Sequence, residues 1–349
     1  MTPSFPYLTA FEGIGGVIRR QPEDFRVEER PLYLPCGEGE HLYLMVTKRG
    51  LSTPDLVSCL ASVLGIKAYQ IGVAGLKDAR AVTTQMVSVQ GVGPEAVARI
   101  KIEDRILAIE ILGRHRNRLR TGHHAGNRFH IIIRDMKPHA DVIVPQILEE
   151  LSRRGVPNYF GPQRQGREGL NYQKGAALLH DAPRRARLSR RQRLWFLHAY
   201  QSFLFNHILA ARIQRIDRML AGDWAMKHAN GACFQVDDAQ VEQARADRFE
   251  ISPTGLLFGS RAPGATGEPG ELERRVAADF GETPESLAEA GKACGFRGER
   301  RPLRVRLEEL DWSLDGTTLN LSFNLPPGTY ATSVMRELMK DEPDSSRQK

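Results

Sequence analysis

The chain has 349 residues, 41% of them hydrophobic and 26% charged. That is an ordinary globular composition with room for about two domains, and it excludes a mainly disordered chain, a collagen and a disulfide-held miniprotein. Lys plus Arg number 49 against 42 for Asp plus Glu, and the formal net charge of +7 leans towards a polyanionic partner.

In chain order, LYLMVT (42–47) reads as a buried strand. A helix over 54–64 follows: Thr53 can cap it, Pro54 suits its first position and Gly65 stops it. Leu56, Val57, Leu60, Val63 and Leu64 give it an apolar face. RILAIEIL (105–112) partly alternates as a strand, FHIII (129–133) reads as a more buried one, and a helix near 143–153 leads to Gly155. Strands with helices between them indicate an α/β or α+β fold. Pro157, Gly161, Pro162, Gly166 and Gly169 then make 156–173 a loop-rich junction. A basic stretch (183–193) precedes a long apolar helix near 194–213, Gly and Pro are dense at 254–270, and a helical segment runs to about 296. LRVRL (303–307) and LNLSFNL (319–325) alternate as strands, and Pro326, Pro327 and Gly328 break the second. A short helix from about Thr332 to Met339 closes the fold, and the last residues look frayed. There is no internal repeat. Strand-rich ends around a different middle predict one domain interrupted by another.

Cys36, Cys59, Cys233 and Cys294 are scattered, with no CxxC pair and no zinc-like Cys/His spacing, so a reducing compartment and a metal-free protein are expected. No apolar run approaches the roughly 18 residues of a membrane span. MTPSFPYLTAFEG lacks the charge-then-apolar pattern of a leader, so a soluble cytoplasmic protein is expected. GIGG (13–16) lacks the spacing of a dinucleotide loop, which counts against a nucleotide-dependent enzyme such as a methyltransferase.

Three features could carry chemistry. Residues 114–130 hold Arg114, Arg116, Arg118, Arg120 and Arg128 without one carboxylate, and alternation on a strand or hairpin would put several guanidiniums on one face. Such forks suit phosphate oxygens, although charge runs are commonly plain solvated surface. A second cluster at 183–193, including Arg184 and Arg185, makes an extended polyanion a better fit than a small phosphate ligand. Asp78 sits in GVAGLKDARAVTTQ (72–85) between Lys77 and Arg80, basic neighbours that favour a carboxylate. An ionised carboxylate can act as nucleophile or base, but a turn Asp with charged surface neighbours reads the same way. Phe25 and Tyr330 lie beside basic residues and could stack a nucleobase or simply fill core. Asn127, after Gly126, is a turn residue or a reader of a pyrimidine edge. His198 on the long helix reads as packed or hydrogen-bonded rather than as a ligand.

AGLKDARAVTTQ (74–85) resembles the catalytic-aspartate motif of the TruD family of pseudouridine synthases. Five further blocks are similar in the same order: QPEDFRVEE (21–29), RHRNRLRTGHHAGNRF (114–129), VPNYFGPQRQGREG (156–169), AYQSFLFN (199–206) and LPPGTYATSVMREL (325–338). The resemblance spans essentially the whole chain. It implies a catalytic domain on a mixed, largely antiparallel sheet, formed by 1–153 and 304–349 and interrupted by an inserted α/β TRUD domain at 154–303. It implies conversion of uridine to pseudouridine in tRNA, at position 13, without cofactor or metal. It places Asp78 as the catalytic aspartate, Phe25 and Asn127 against the target uridine, Tyr330 near the base where Phe is more usual, and Arg19 as the basic partner of the aspartate. Arg114, Arg116, Arg118, Arg120, Arg164, Arg184 and Arg185 become the expected RNA contacts. The alternatives are a family member acting on uridines of another RNA and a non-catalytic RNA-binding protein on the same scaffold.

Overall fold

The computed structural model describes residues 4–100, 104–166, 168–181 and 187–340. Strands β1 (Phe25–Pro31) and β2 (His41–Arg49) lead into helix α1 (Thr53–Leu64), then β3 (Ile71–Val73), β4 (Val82–Gln90) and the single turn α2 (Pro94–Val97). Next come β5 (Ile106–His115), β6 (His124–Ile133) and α3 (Ala140–Arg154). The middle holds β7 (Val156–Pro157), α4 (Asn171–His180), α5 (Arg190–Arg212), β8 (Trp224–Lys227), β9 (Cys233–Gln235), α6 (Ala239–Asp247) and β10 (Ile251–Leu257). Then follow α7 (Gly267–Asp279), α8 (Pro284–Cys294), β11 (Glu299–Pro302), β12 (Arg304–Val305), β13 (Glu308–Asp315), β14 (Thr318–Leu325) and α9 (Ala331–Met339). The chain forms two compact units, one of 13–144 with 307–328, the other of residues up to Glu12 with 145–306 and 329–340.

The first unit is built on an eight-stranded sheet of order β13-β14-β6-β1-β4-β2-β5, with β3 also on β4. The β1–β4 pair is parallel and the other pairs are antiparallel, the mixed, largely antiparallel sheet expected from the sequence. β2 is buried along nearly its whole length because it is covered on both faces, which is why it reads as a continuous apolar run. Leu42, Leu44 and Val46 pack with Leu56 and Leu60 of α1, while Tyr43 packs with Met86 and Leu119.

Helix α1 starts one residue earlier than expected. Ser52, not Thr53, is the cap: its hydroxyl accepts from the Asp55 amide. Gly65 ends the helix in the left-handed conformation, as expected. Thr53 is thereby free for another task. Its buried hydroxyl accepts from the Lys77 amide at 2.8 Å and donates to Gln85 at 3.0 Å, which ties the loop between β3 and β4 to the sheet.

Register carries the site. Phe25, Val27 and Glu29 of β1 lie opposite Ile131, Phe129 and Asn127 of β6, so all six side chains share one face. Phe129 stacks on Phe323 of β14 at 5.4 Å. Beside Asn127, Gly126 (φ +144°) runs so close to β14 that a Cβ would stand 2.5 Å from the Leu325 carbonyl oxygen, so only glycine fits.

The second unit contains a four-stranded sheet of order β11-β10-β8-β9 and a small β12–β7 pair. Its long helix α5 opens on a Ser189–Gln192 capping box, earlier than its apolar run suggests. The sequence segment 303–307 differs from expectation: only Arg304–Val305 forms a strand there. Its alternation does not separate core from solvent, because Arg304 is itself buried, stacked over Phe249 at 4.3 Å and donating to the Arg154 and Ala246 carbonyls. Among the described residues, no helix is long and apolar enough to cross a membrane.

Candidate active site

The loop 74–81 joins β3 to β4 and presents Asp78, whose side chain is 41% exposed. The Arg19 guanidinium donates to Asp78 Oδ2 at 2.8 Å and is itself only 11% exposed. Its planar face lies 4.1 Å over the Phe25 ring, a cation–π contact that fixes the fork before it reaches the carboxylate. Arg19 has φ +57°, a left-handed conformation uncommon away from glycine, so the backbone is held in a strained shape to deliver that side chain. Phe25 itself is 2% exposed and packs edge-on to Phe129 at 6.3 Å. Its open face is occupied by Arg19.

Lys77, the neighbour expected to sit by Asp78, turns the other way. Its Nζ lies 2.7 Å from Glu29 Oε2 and donates to Asn127 Oδ1 at 2.8 Å. Glu29 is fully buried and the Lys77 side chain 5% exposed. The second Glu29 oxygen accepts from the Met86 amide at 3.1 Å. Behind the loop, the buried Lys48 of β2 donates to the Leu51 carbonyl and, at 3.4 Å, to the Asp78 carbonyl. Burial pushes the Lys48 ammonium down to about 8.

The arginine run is not one strand face. Arg114 is the next-to-last residue of β5, Arg116, Arg118 and Arg120 lie in the connection to β6, and Arg128 lies in β6. All three connection arginines are exposed: Arg116 pairs with Glu38, Arg118 donates to the Ile71 carbonyl at 2.5 Å, and Arg120 has no ion pair among the described residues. In the other unit, Arg164 and Arg301 flank the Phe160 ring, 5.5 and 4.1 Å from its centre, and Tyr330 stands 6.4 Å from it at the start of α9. Burial brings Arg301 down to about 10. His198 sits 2.7 Å from the Gln201 amide oxygen, a hydrogen-bonded histidine as read from the sequence. Arg184 and Arg185 lie outside the described residues.

The family profile of tRNA pseudouridine synthase D (TruD) matches residues 4–189 and 185–338. The chain belongs to the TruD family. A tRNA pseudouridine synthase D of Geobacter metallireducens is 41% identical over 96% of this chain and 97% of the relative. One from Thermus thermophilus is 44% identical over 97% of this chain and 93% of the relative. The crystal structure of a TruD chain from Methanosarcina mazei superposes with a TM-score of 0.82 at 25% identity, covering 97% of this chain and 96% of that one. All six motif blocks of the sequence resemblance fall inside the TruD-matched spans.

Sequence reasoning singled out Asp78, Arg19 and Asn127, and the structure brings Asp78 and Arg19 into contact and Asn127 onto Lys77. It missed Glu29, Lys77 and Lys48, which the structure places against Asn127 or the Asp78 loop. The signal for Glu29 was available: it follows Phe25 and Val27 at period two, so its carboxylate had to point inward, and a buried carboxylate needs a cationic partner. Lys48, at the end of an apolar run, is the same kind of signal. No spacing could have paired Lys77 with Asn127, 50 positions away.

Proposed function

We propose that this chain isomerises uridine to pseudouridine in tRNA, at position 13, with Asp78 as the reacting carboxylate. The observation that carries the reading is the Arg19–Asp78 pair, which fixes one carboxylate oxygen of a half-exposed aspartate. Among the described residues, nothing donates to the other oxygen. In this reading 1–153 and 304–349 carry the catalytic domain and 154–303 the inserted TRUD domain.

The reaction breaks C1′–N1 and makes C1′–C5. C5 loses a proton, N1 gains one, and the atoms of substrate and product are the same. Asp78 acts early, by attacking the ribose or removing a ribose proton as the base is released. The free base then turns and rejoins through C5. An aromatic such as Tyr330 can stack either face of the base without pinning its edge, so it can hold the ring before and after the turn. Phe25 would offer its face only after the Arg19 guanidinium leaves it. Asn127 holds the base through its amide. The uridine has to be extruded from the folded RNA, at about a few kcal/mol, and contacts from Arg114, Arg118, Arg120 and Arg164 to phosphates would offset that.

The test is Asp78→Asn assayed by carbodiimide–primer-extension mapping of tRNA. No pseudouridine with tRNA affinity retained is the expected result, and normal turnover overturns the assignment. Product at another uridine moves the target away from position 13. An unchanged protein that binds tRNA but also yields no product favours an RNA-binding protein on the same scaffold.

A further inference from the structure

Asn127 and Glu29 are direct cross-strand neighbours, and Lys77 lies against both. An ammonium has three donors and no acceptor, so the Asn127 amide can face Lys77 only through its oxygen. Lys77 cannot drift from that position. Its backbone is held by the Thr53 hydroxyl, its charge by the buried Glu29, and Glu29 by the Met86 amide. Of the two orientations open to a free amide, this arrangement permits one. The Nδ2 donors point away from Lys77, and among the described residues nothing accepts from them.

We propose that Glu29 and Lys77 are a positioning pair that locks Asn127 as a pure donor to a carbonyl oxygen of the uracil, in both its starting and its final orientation. The inference rests on the reading of Asn127 as a uridine contact. Its second support is the shape of uracil. A base that leaves through N1 and rejoins through C5 turns about the axis from N3 to C6. That half-turn exchanges N1 with C5 and O4 with O2, while N3–H stays on the axis. A donor fixed at one carbonyl position therefore meets an oxygen before the turn and again after it. An amide free to flip could instead offer its oxygen, which would be repelled by either carbonyl.

Substrates with sulfur for oxygen at the target read this directly, because a thiocarbonyl is a weak acceptor. In wild type, 4-thiouridine and 2-thiouridine should each slow single-turnover conversion by about tenfold, the loss of roughly one hydrogen bond. A penalty from neither, or from only one of the two, overturns the two-ended donor. Lys77→Met alone would strand a buried carboxylate, so the paired variant Glu29→Gln/Lys77→Met is the informative one. It should keep tRNA affinity within about twofold, lose single-turnover rate and show thio penalties close to one. Wild-type penalties in that variant overturn the role of the pair. Asn127→Ala separates the layers. If it turns over normally, the uridine-contact reading falls. If it is slow while the paired variant keeps its thio penalties, that reading stands and the positioning inference falls.

Discussion

Arg19 and Asp78 stand 59 positions apart and meet at 2.8 Å, while Lys77, bonded next to Asp78, faces Glu29 instead. The carboxylate thus depends on a distant arginine for its orientation, and that arginine depends on Phe25 for its own. A hydrogen bond to a charged group contributes about 1.5–3 kcal/mol. Arg19→Ala is therefore expected to slow single-turnover pseudouridine formation by about 10- to 100-fold, nearer the lower figure because water reaches Asp78. Arg19→Lys keeps the charge and loses the planar face on Phe25, so its rate should fall between the two. A wild-type rate for Arg19→Ala would show that Arg19 does not position the carboxylate.

Glu29 and Lys77 also make a stability prediction. Breaking a buried pair by removing one partner costs about 3–5 kcal/mol, because the remaining charge stays buried, whereas removing both is far milder. Lys77→Met and Glu29→Gln should each lower the urea midpoint more than Glu29→Gln/Lys77→Met does. Hydrogen exchange should report the loss first at β1 and β6, which carry Glu29 and Asn127. Additive losses in the double variant would show that the two charges do not interact.

Much of this architecture is legible in the residues. β2 announces itself as an unbroken apolar run, α1 and β14 by burial that follows the helical or strand period, and Gly65 marks a real helix end. The sheet of the second unit does not, and β10 shows why. It is buried throughout yet contains Pro253 and Gly255, which read as strand breakers. Gly255 is there for close packing: a Cβ would stand 3.1 Å from Phe205 and 3.2 Å from Ile208 of α5. At the site, motif resemblance supplied Asp78 and Arg19. The Glu29–Lys77–Asn127 arrangement depends on cross-strand register and on a loop tied down by Thr53, and neither is written in local spacing.

Arg116 and Arg120 should differ as RNA contacts although they are four positions apart. Arg116 already pairs with Glu38, whereas Arg120 is exposed with no ion pair among the described residues. Each phosphate neutralised steepens the salt dependence of binding by about 0.7–0.9 in log–log slope. Arg120→Ala should flatten the tRNA-binding slope by about that amount, and Arg116→Ala by less. Glu38→Gln, which frees Arg116, should tighten binding at low salt. Equal slopes for all three variants and wild type would place this connection away from the RNA.

Lys48 makes the fold sensitive to alkaline pH in an unusual direction. Its ammonium sits at about 8 in the fold, against 10.5 for the ordinary lysine, because burial outweighs the attraction of Asp78 and Asp55, with Lys77 adding to the depression. Between those values the unfolded chain holds the proton and the folded chain does not. The unfolded state therefore binds more protons, and stability must rise with pH across that window. Below about 8 both states are protonated and the full penalty for the buried charge is present; above 10.5 both are neutral and it is gone. The neutral amine keeps two N–H donors, enough for both the Leu51 and the Asp78 carbonyls, so deprotonation need not disturb the loop. Other lysines, tyrosines and cysteines titrate in the same range, so the comparison that isolates Lys48 is with Lys48→Met. The difference in unfolding free energy between wild type and that variant should move in favour of wild type by about 3 kcal/mol from pH 7.5 to 10.5. A constant difference across that range would mean that Lys48 keeps an ordinary ammonium in the folded protein.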